Sequence, residues 1–351
     1  MKYYIVNLVV GLLLKVIIYF IINQNLRFSR DRRHPTLTHS PAMHVINTLL
    51  PVFLIIALGA LLTWRGLLTE SVLSGIKWLV YWVGLPALLV HKIVAAELDA
   101  SVLNSLGIVL VGTGAAVVVG VVVAMVFRMK SERVGTFVQA SFRGNLAFVG
   151  LPVVVYAFST AGQSPARAEQ IAVLTIGPLV VVYNVVAVVG LLASRHKFGW
   201  SSVRKMFVGL VANPLLLACV AGVVGSVLAL KLPPVVDRTL QTLGDMTLPL
   251  ALLSVGGALV NTHIRGSWLP ALASSGIKLA VAPVAGLLMA HAIGAGPTET
   301  GVSLILLATP TAVASYVLAD QLDGDSALAA SAVVFATILS PFSLGLVVGL
   351  I

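Results

Sequence analysis

Two prolines stand in the middle of apolar runs with glycine or threonine close by: Pro152 in SFRGNLAFVGLPVVVYAF and Pro310 in GVSLILLATPTAVASYVLA. Proline removes a backbone donor and its ring clashes with the preceding turn, while Gly144 and Gly150 permit the dihedrals of an unwound stretch. Backbone groups freed in this way must be buried or line a wet cavity, because lipid offers them no hydrogen bonds. Two readings are open. Each proline is a simple kink, repaired by a neighbour or by Thr309 and Thr311. Alternatively the pair marks matched helix breaks, at which the following half-helices present bare N–H groups and a positive dipole end.

The matched pair favours the second reading, and that chemistry suits an anion. Arg143 lies about nine residues into its run, roughly 14 Å deep, and Lys278 lies about ten residues into another. Ionisable groups at that depth cost about 2.5–3.5 kcal/mol each, which makes them functional candidates. Asn145, ahead of Pro152, can hydrogen-bond a carboxylate. The candidate substrate-binding residues are therefore Arg143, Asn145, Gly150, Pro152, Lys278, Thr309, Pro310 and Thr311. Asp245 in QTLGDMTLPLALL is either a proton-carrying group or a structural partner for Lys278 or Arg143. Lys77 lies nearer a helix end and can snorkel. His91 and His291, towards the ends of apolar runs, read as interfacial or hydrogen-bonded, and Asn184 and Asn213 as structural.

The elements that position these residues follow from composition. Of 351 residues, 59% are hydrophobic and only 10% are charged, and the mean hydropathy is +1.05. A soluble domain carries about 25% charged residues, so this chain lacks the polar coat that water demands. Cys219, the only cysteine, rules out a disulfide scaffold. A membrane-spanning helix needs about 20 mainly apolar residues. The sequence holds ten such segments, near 45–63, 72–94, 103–127, 135–158, 169–193, 207–229, 235–260, 268–292, 300–319 and 326–350. The expected class is an all-α polytopic membrane protein.

Charge sets the orientation. The net charge of +10 is read as loop asymmetry rather than nucleic-acid binding, since Lys and Arg collect on the cytoplasmic side. Loops after odd-numbered spans hold Arg65, Arg128, Lys130, Arg133, Arg195, Lys197, Arg204, Lys205 and Arg265; those after even-numbered spans hold Lys92, Arg167, Lys231 and Arg238. The odd side is thus cytoplasmic, and the C-terminus lies outside the cell membrane. Residues 1–42 fit poorly. They are either an extra anchoring segment or upstream of a natural start at Met43.

The halves repeat. Asn47 matches Asn213, Pro86 matches Pro249, Pro152 matches Pro310 and Pro178 matches Pro341, in the same order and at nearly constant offset. The expected organisation is a first five-span repeat over 43–193, a connecting loop over 194–206 and a second repeat over 207–351. An odd span number inverts the second copy, an architecture of secondary transporters whose sites lie where the repeats meet.

No GxxxxGK[ST], HExxH or GxSxG constellation occurs, so no enzyme, cofactor or metal is expected. The spans hold too few polar residues to line a channel. A non-transporting membrane sensor and a sodium-coupled bile-acid-type anion symporter are the alternatives. No acidic cluster of the kind a sodium site needs is evident.

The segments RGNLAFVGLPVVV (143–155), NPLLLACVAGVVG (213–225), TLPLALLSVGGAL (247–259), KLAVAPVAG (278–286) and ATPTAVASYVLADQLDGD (308–325) together resemble the auxin efflux carrier family, whose bacterial branch includes malonate and other organic-acid permeases. The resemblance covers about 43–351. It implies ten spans in two inverted repeats with both termini outside. It implies crossed, broken helices in spans four and nine, here at Pro152 and Pro310. It also implies a scaffold of spans one, two, six and seven, an elevator-type mobile unit made of the rest, and a homodimer. Plant members share an Asn seven residues before the first crossover proline, the place of Asn145. Their long loop between spans five and six is only about a dozen residues here. The implied partners are a small organic anion and the lipid bilayer.

Overall fold

The computed structural model describes residues 41–96, 99–160, 165–194, 204, 208, 212–261 and 268–351. Residues 1–40 of the expected extension over 1–42 and most of the expected loop over 194–206 lie outside the described residues. Every named element among the described residues is helical. In chain order they are α1 (Pro41–Trp64), α2 (Glu70–Val94), α3 (Ala100–Val126), α4 (Ser131–Phe142), α5 (Leu151–Thr160), α6 (Pro165–Ser194), α7 (Pro214–Val227), α8 (Pro234–Asn261), α9 (Trp268–Ala292), α10 (Pro297–Leu307), α11 (Ala314–Gln321) and α12 (Ser326–Val348).

Seven of these (α1, α2, α3, α6, α8, α9 and α12) are long and apolar enough to cross a membrane. The protein is a multi-pass membrane protein, and its apolar side chains face outward as well as inward. The remaining three expected segments differ from single long helices. The segment near 135–158 is divided between α4 and α5, and that near 300–319 between α10 and α11. Within the segment near 207–229, the continuous helix described is α7 alone.

Helix ends follow local chemistry. Asp99 accepts from the Ser101 N–H and caps α3, and Asn213 accepts from the Leu215 and Leu216 N–H groups and caps α7 ahead of Pro214. These side chains satisfy donors that the first helical turn leaves open. At three prolines inside the bundle the helix widens ahead of the ring. Three π turns, Val80–Gly84, Leu146–Gly150 and Ile277–Val281, each end two residues before a proline, at Pro86, Pro152 and Pro283. There the N–H groups of Leu85, Leu151 and Ala282 reach back five residues, to Val80, Leu146 and Ile277. Proline cannot complete the ordinary ladder, and the wider turn re-pairs the backbone that it disturbs.

The helices pack in two groups. α1 lies along α8, and α2 packs on α7 and on α8. α3, α4, α5, α6, α9, α10, α11 and α12 pack mainly among themselves. Between α1 and α8 the backbones touch: a Cβ on Gly256 would overlap the Ile56 carbonyl, and one on Gly59 the Leu253 carbonyl. Small residues permit such close crossings between membrane helices. α5 meets α1, and α6 meets α2 and α7, along the seam between the groups. Lys92 of α2 pairs with Glu169 of α6 across that seam at 2.9 Å.

Candidate functional site

The chain unwinds between α4 and the π turn ahead of α5, and again between α10 and α11. The two unwound stretches meet. Gly144 and Thr311 form an antiparallel bridge, in which the Asn145 N–H donates to the Pro310 carbonyl at 2.8 Å and the Ala312 N–H to the Arg143 carbonyl at 2.9 Å. Backbone groups that proline and glycine free from each helix are thus paired with the other, inside the protein. Two interrupted helices therefore meet at their breaks. The first break differs from the expected position: it falls at Arg143–Asn145, seven residues before Pro152. Pro152 is buried within α5, where the π turn absorbs its missing donor. At the opening over 143–145 the neighbours approach closely enough to require glycine. A Cβ on Gly144 would stand 2.5 Å from Thr309 Oγ1 and 3.0 Å from Lys278 Cε.

Around the crossing, polar side chains hold the loose ends. The Thr309 hydroxyl donates to the Leu306 carbonyl at 2.7 Å and the Thr311 hydroxyl to the Ala140 carbonyl at 2.9 Å. Lys278, fully buried, donates from Nζ to the Leu307 carbonyl at the end of α10. A cation suits this place, since a helix C-terminus carries partial negative charge and open carbonyls. Gln139 donates from Nε2 to the Ser315 carbonyl at 2.7 Å, tying α4 to α11.

Beside the crossing lies a cavity of about 540 Å³, within the size range of small-molecule sites. α2 contributes Lys77, Trp78, Tyr81 and Trp82 to its wall; the first break contributes Arg143 and Asn145, and the π turn after it Phe148. Ser254 and Val255 of α8 and the stretch from Ala312 towards Gln321 complete it. Among the described residues, the lining carries two cations and no carboxylate. Arg143 donates from Nη2 to Asn184 Oδ1 at 2.6 Å, while its buried Nη1 has no hydrogen-bond partner among the described residues. Behind it, Phe142 stacks edge-on against Tyr183, whose hydroxyl lies 3.1 Å from Thr113. The Asn145 side chain caps no helix and faces the cavity.

Of the residues singled out in the sequence, Arg143 and Asn145 line this cavity. Gly150, Pro152, Lys278, Thr309, Pro310 and Thr311 stand behind it and build the crossing. A Cβ on Gly150 would approach Leu306 Cδ2 to 2.9 Å, so that glycine serves packing between α5 and α10. Asp245 is not joined to either cation. It is exposed on α8, while Lys278 engages Leu307 and Arg143 engages Asn184. Sequence reasoning passed over Lys77, Tyr81 and Ser254 as site residues. The signal available for the first two was the Val-Gly-Leu-Pro tetrapeptide, which occurs at 83–86 and again at 149–152 and closes a π turn both times.

The profile of a family described as membrane transport protein matches residues 44–348. The chain belongs to that family. It is the auxin efflux carrier family that the motifs resemble, and its members are transporters, not enzymes. An uncharacterized transporter of Methanocaldococcus jannaschii is 21% identical over 302 residues, covering 84% of this chain and 95% of the archaeal one. A probable auxin efflux carrier component of Oryza sativa subsp. japonica is 28% identical over 148 residues, 40% of each chain. In this transporter the family match spans both helix breaks and every residue of the cavity wall.

Proposed function

We propose that the protein is a secondary transporter of small organic anions, mono- or dicarboxylates, working by elevator-type alternating access. The observation that carries this reading is a cavity lined, among the described residues, by two cations and no carboxylate, set against the crossing of two broken helices. Arg143 offers a buried guanidinium nitrogen with no partner among the described residues, and Asn145 offers a side-chain amide. Both fit a carboxylate, and a charge-assisted contact to a guanidinium is among the stronger polar interactions available. Thr309, Thr311 and Lys278 hold the crossing in shape rather than touching the anion.

Ten spans in two inverted five-span repeats accommodate this arrangement. α4 with α5 then forms span four, and α10 with α11 forms span nine. Several features support the repeat: the two breaks pair with each other, and Pro178 in α6 and Pro341 in α12 each sit inside a long helix at the fifth position of their half. The segregation of α1, α2, α7 and α8 from the other helices supports a fixed scaffold and a moving unit. A homodimer through the scaffold, a cell-membrane location and an outward C-terminus complete the proposal, the last following from the basic loops. The expected boundaries, 43–193 and 207–351, serve as the two repeats.

The test is a metabolite screen by thermal shift on the purified full chain, followed by flux in proteoliposomes at two pH values with and without sodium. Stabilisation by carboxylates and their saturable uptake are expected. Binding without uptake would identify a sensor instead, and indifference to every carboxylate would overturn the reading. Dependence on sodium would move the protein towards the bile-acid-type symporters.

A further inference from the structure

Lys77, the second cation of the cavity wall, takes no part in the crossing or in the contacts of Arg143. We infer that it is a second anion-binding residue, and that it selects elongated dianions, with two acidic groups on an apolar body, over monoanions of the same length. This rests on the anion-transport reading above.

Three observations support it. First, Lys77 lines the same cavity as Arg143 and is half-buried, and its side chain makes no ion pair or hydrogen bond with the described residues. Its electrostatic neighbour is Glu70, seven residues back in the first turn of α2 and outside the cavity wall. Second, aromatic side chains share the wall with the two cations. Tyr81 is four residues on from Lys77, one turn or roughly 6 Å along the helix, and lies within electrostatic reach of the Arg143 guanidinium. Trp78, Trp82 and Phe148 join it in the wall. An apolar body fits against these rings while its ends meet the two charges. Third, a monoanion answers one of two positive charges in a poorly hydrated space, whereas a dianion answers both, and the attraction between opposite charges grows as the dielectric falls.

The two cations also belong to different helix groups, Lys77 to the one containing α1 and α8, Arg143 to the other. A dianion therefore bridges the seam between them. A snorkelling lysine would make no such distinction among ligands, because its ammonium would sit in the headgroup layer.

Matched pairs of probes differing only in the second charge read this directly: butyrate and succinate, hexanoate and adipate, benzoate and terephthalate. Thermal stabilisation and proteoliposome uptake are measured for wild type, Lys77→Gln and Lys77→Arg. In wild type the dianion of at least one longer pair should be preferred about tenfold. Lys77→Gln should abolish that preference and Lys77→Arg should keep it. A wild type that favours the monoanions, or a Lys77→Gln that folds and keeps the preference, overturns the inference and leaves the anion reading standing. If Lys77→Gln does not fold, the wild-type preference and its retention in Lys77→Arg decide. A wild type that responds to none of the six probes counts against the inference and against the anion reading together.

Discussion

Replacing Gly144 by alanine is the smallest change that should force the two unwound stretches apart. The new methyl carbon would stand 2.5 Å from Thr309 Oγ1, 3.0 Å from Lys278 Cε and 3.2 Å from Lys278 Nζ. Unstrained contacts between such atoms lie near 3.5–4.0 Å. Neither neighbour can retreat cheaply, because the Thr309 hydroxyl is bonded to Leu306 and the Lys278 ammonium to Leu307. Moving the Gly144 backbone instead would stretch the bonds from Asn145 to Pro310 and from Ala312 to Arg143. Overpacking costs about 1–3 kcal/mol, and a buried amide left unpaired costs about 1–3 kcal/mol. A destabilisation on the order of 2–4 kcal/mol is expected. The assay is thermal unfolding of the detergent-solubilised protein, with anion flux measured alongside. Gly107→Ala on α3 is the control: nothing lies within 4 Å of the added methyl, and alanine is the better helix former by about 1 kcal/mol. Equal melting and equal flux for Gly144→Ala and wild type would refute a close-packed crossing.

Lys278→Met should lower stability by about 1–3 kcal/mol by leaving the Leu307 carbonyl without its donor. An unchanged melting temperature would show that the carbonyl finds another partner. Cysteines placed at Lys92 and Glu169 and bridged by a bifunctional thiol reagent should stop transport, because the ion pair they replace spans the seam between the two helix groups. Full flux in the bridged protein would mean that this seam does not move. Asp99 is held below the ordinary aspartate range, first by the Ser101 hydroxyl and then by the Arg167 charge, against an opposing effect of burial. A lowered folded-state value gives stability that is present above the unfolded pKa and lost as pH falls through the folded one. Melting of wild type should therefore decline in acid below the usual aspartate titration while Asp99→Asn, which keeps the capping oxygen, shows a flatter curve, and parallel curves would disprove the contribution of the Asp99 charge.

Much of this was legible in the residues. Long apolar runs give the helices, because lipid enforces continuous backbone pairing. Arg143 and Asn145 could be singled out as binding candidates because charge and amide are expensive at that depth. The position of the break was not legible from Pro152. A proline marks the strain in its own helix, whereas the need for glycine at Gly144 follows from what lies across from it, Thr309 and Lys278, far away in sequence. The role of Lys278 was hidden for the same reason: a buried cation reads alike whether it meets a ligand or a carbonyl. Lys77 looked like a snorkelling residue because depth along a helix does not reveal a cavity opening onto it. Asp245 drew notice by its charge alone, and the faces of α8 that turn inward and outward became distinguishable only once α1 and α2 were in place beside it.

The most direct test of a cationic anion site at the crossing is saturable carboxylate uptake into proteoliposomes by wild type and by Arg143→Gln, with matched insertion and melting. Wild-type uptake, and its fall by about tenfold or more in Arg143→Gln, is the expected result. Wild-type uptake that survives undiminished in a folded Arg143→Gln would contradict it.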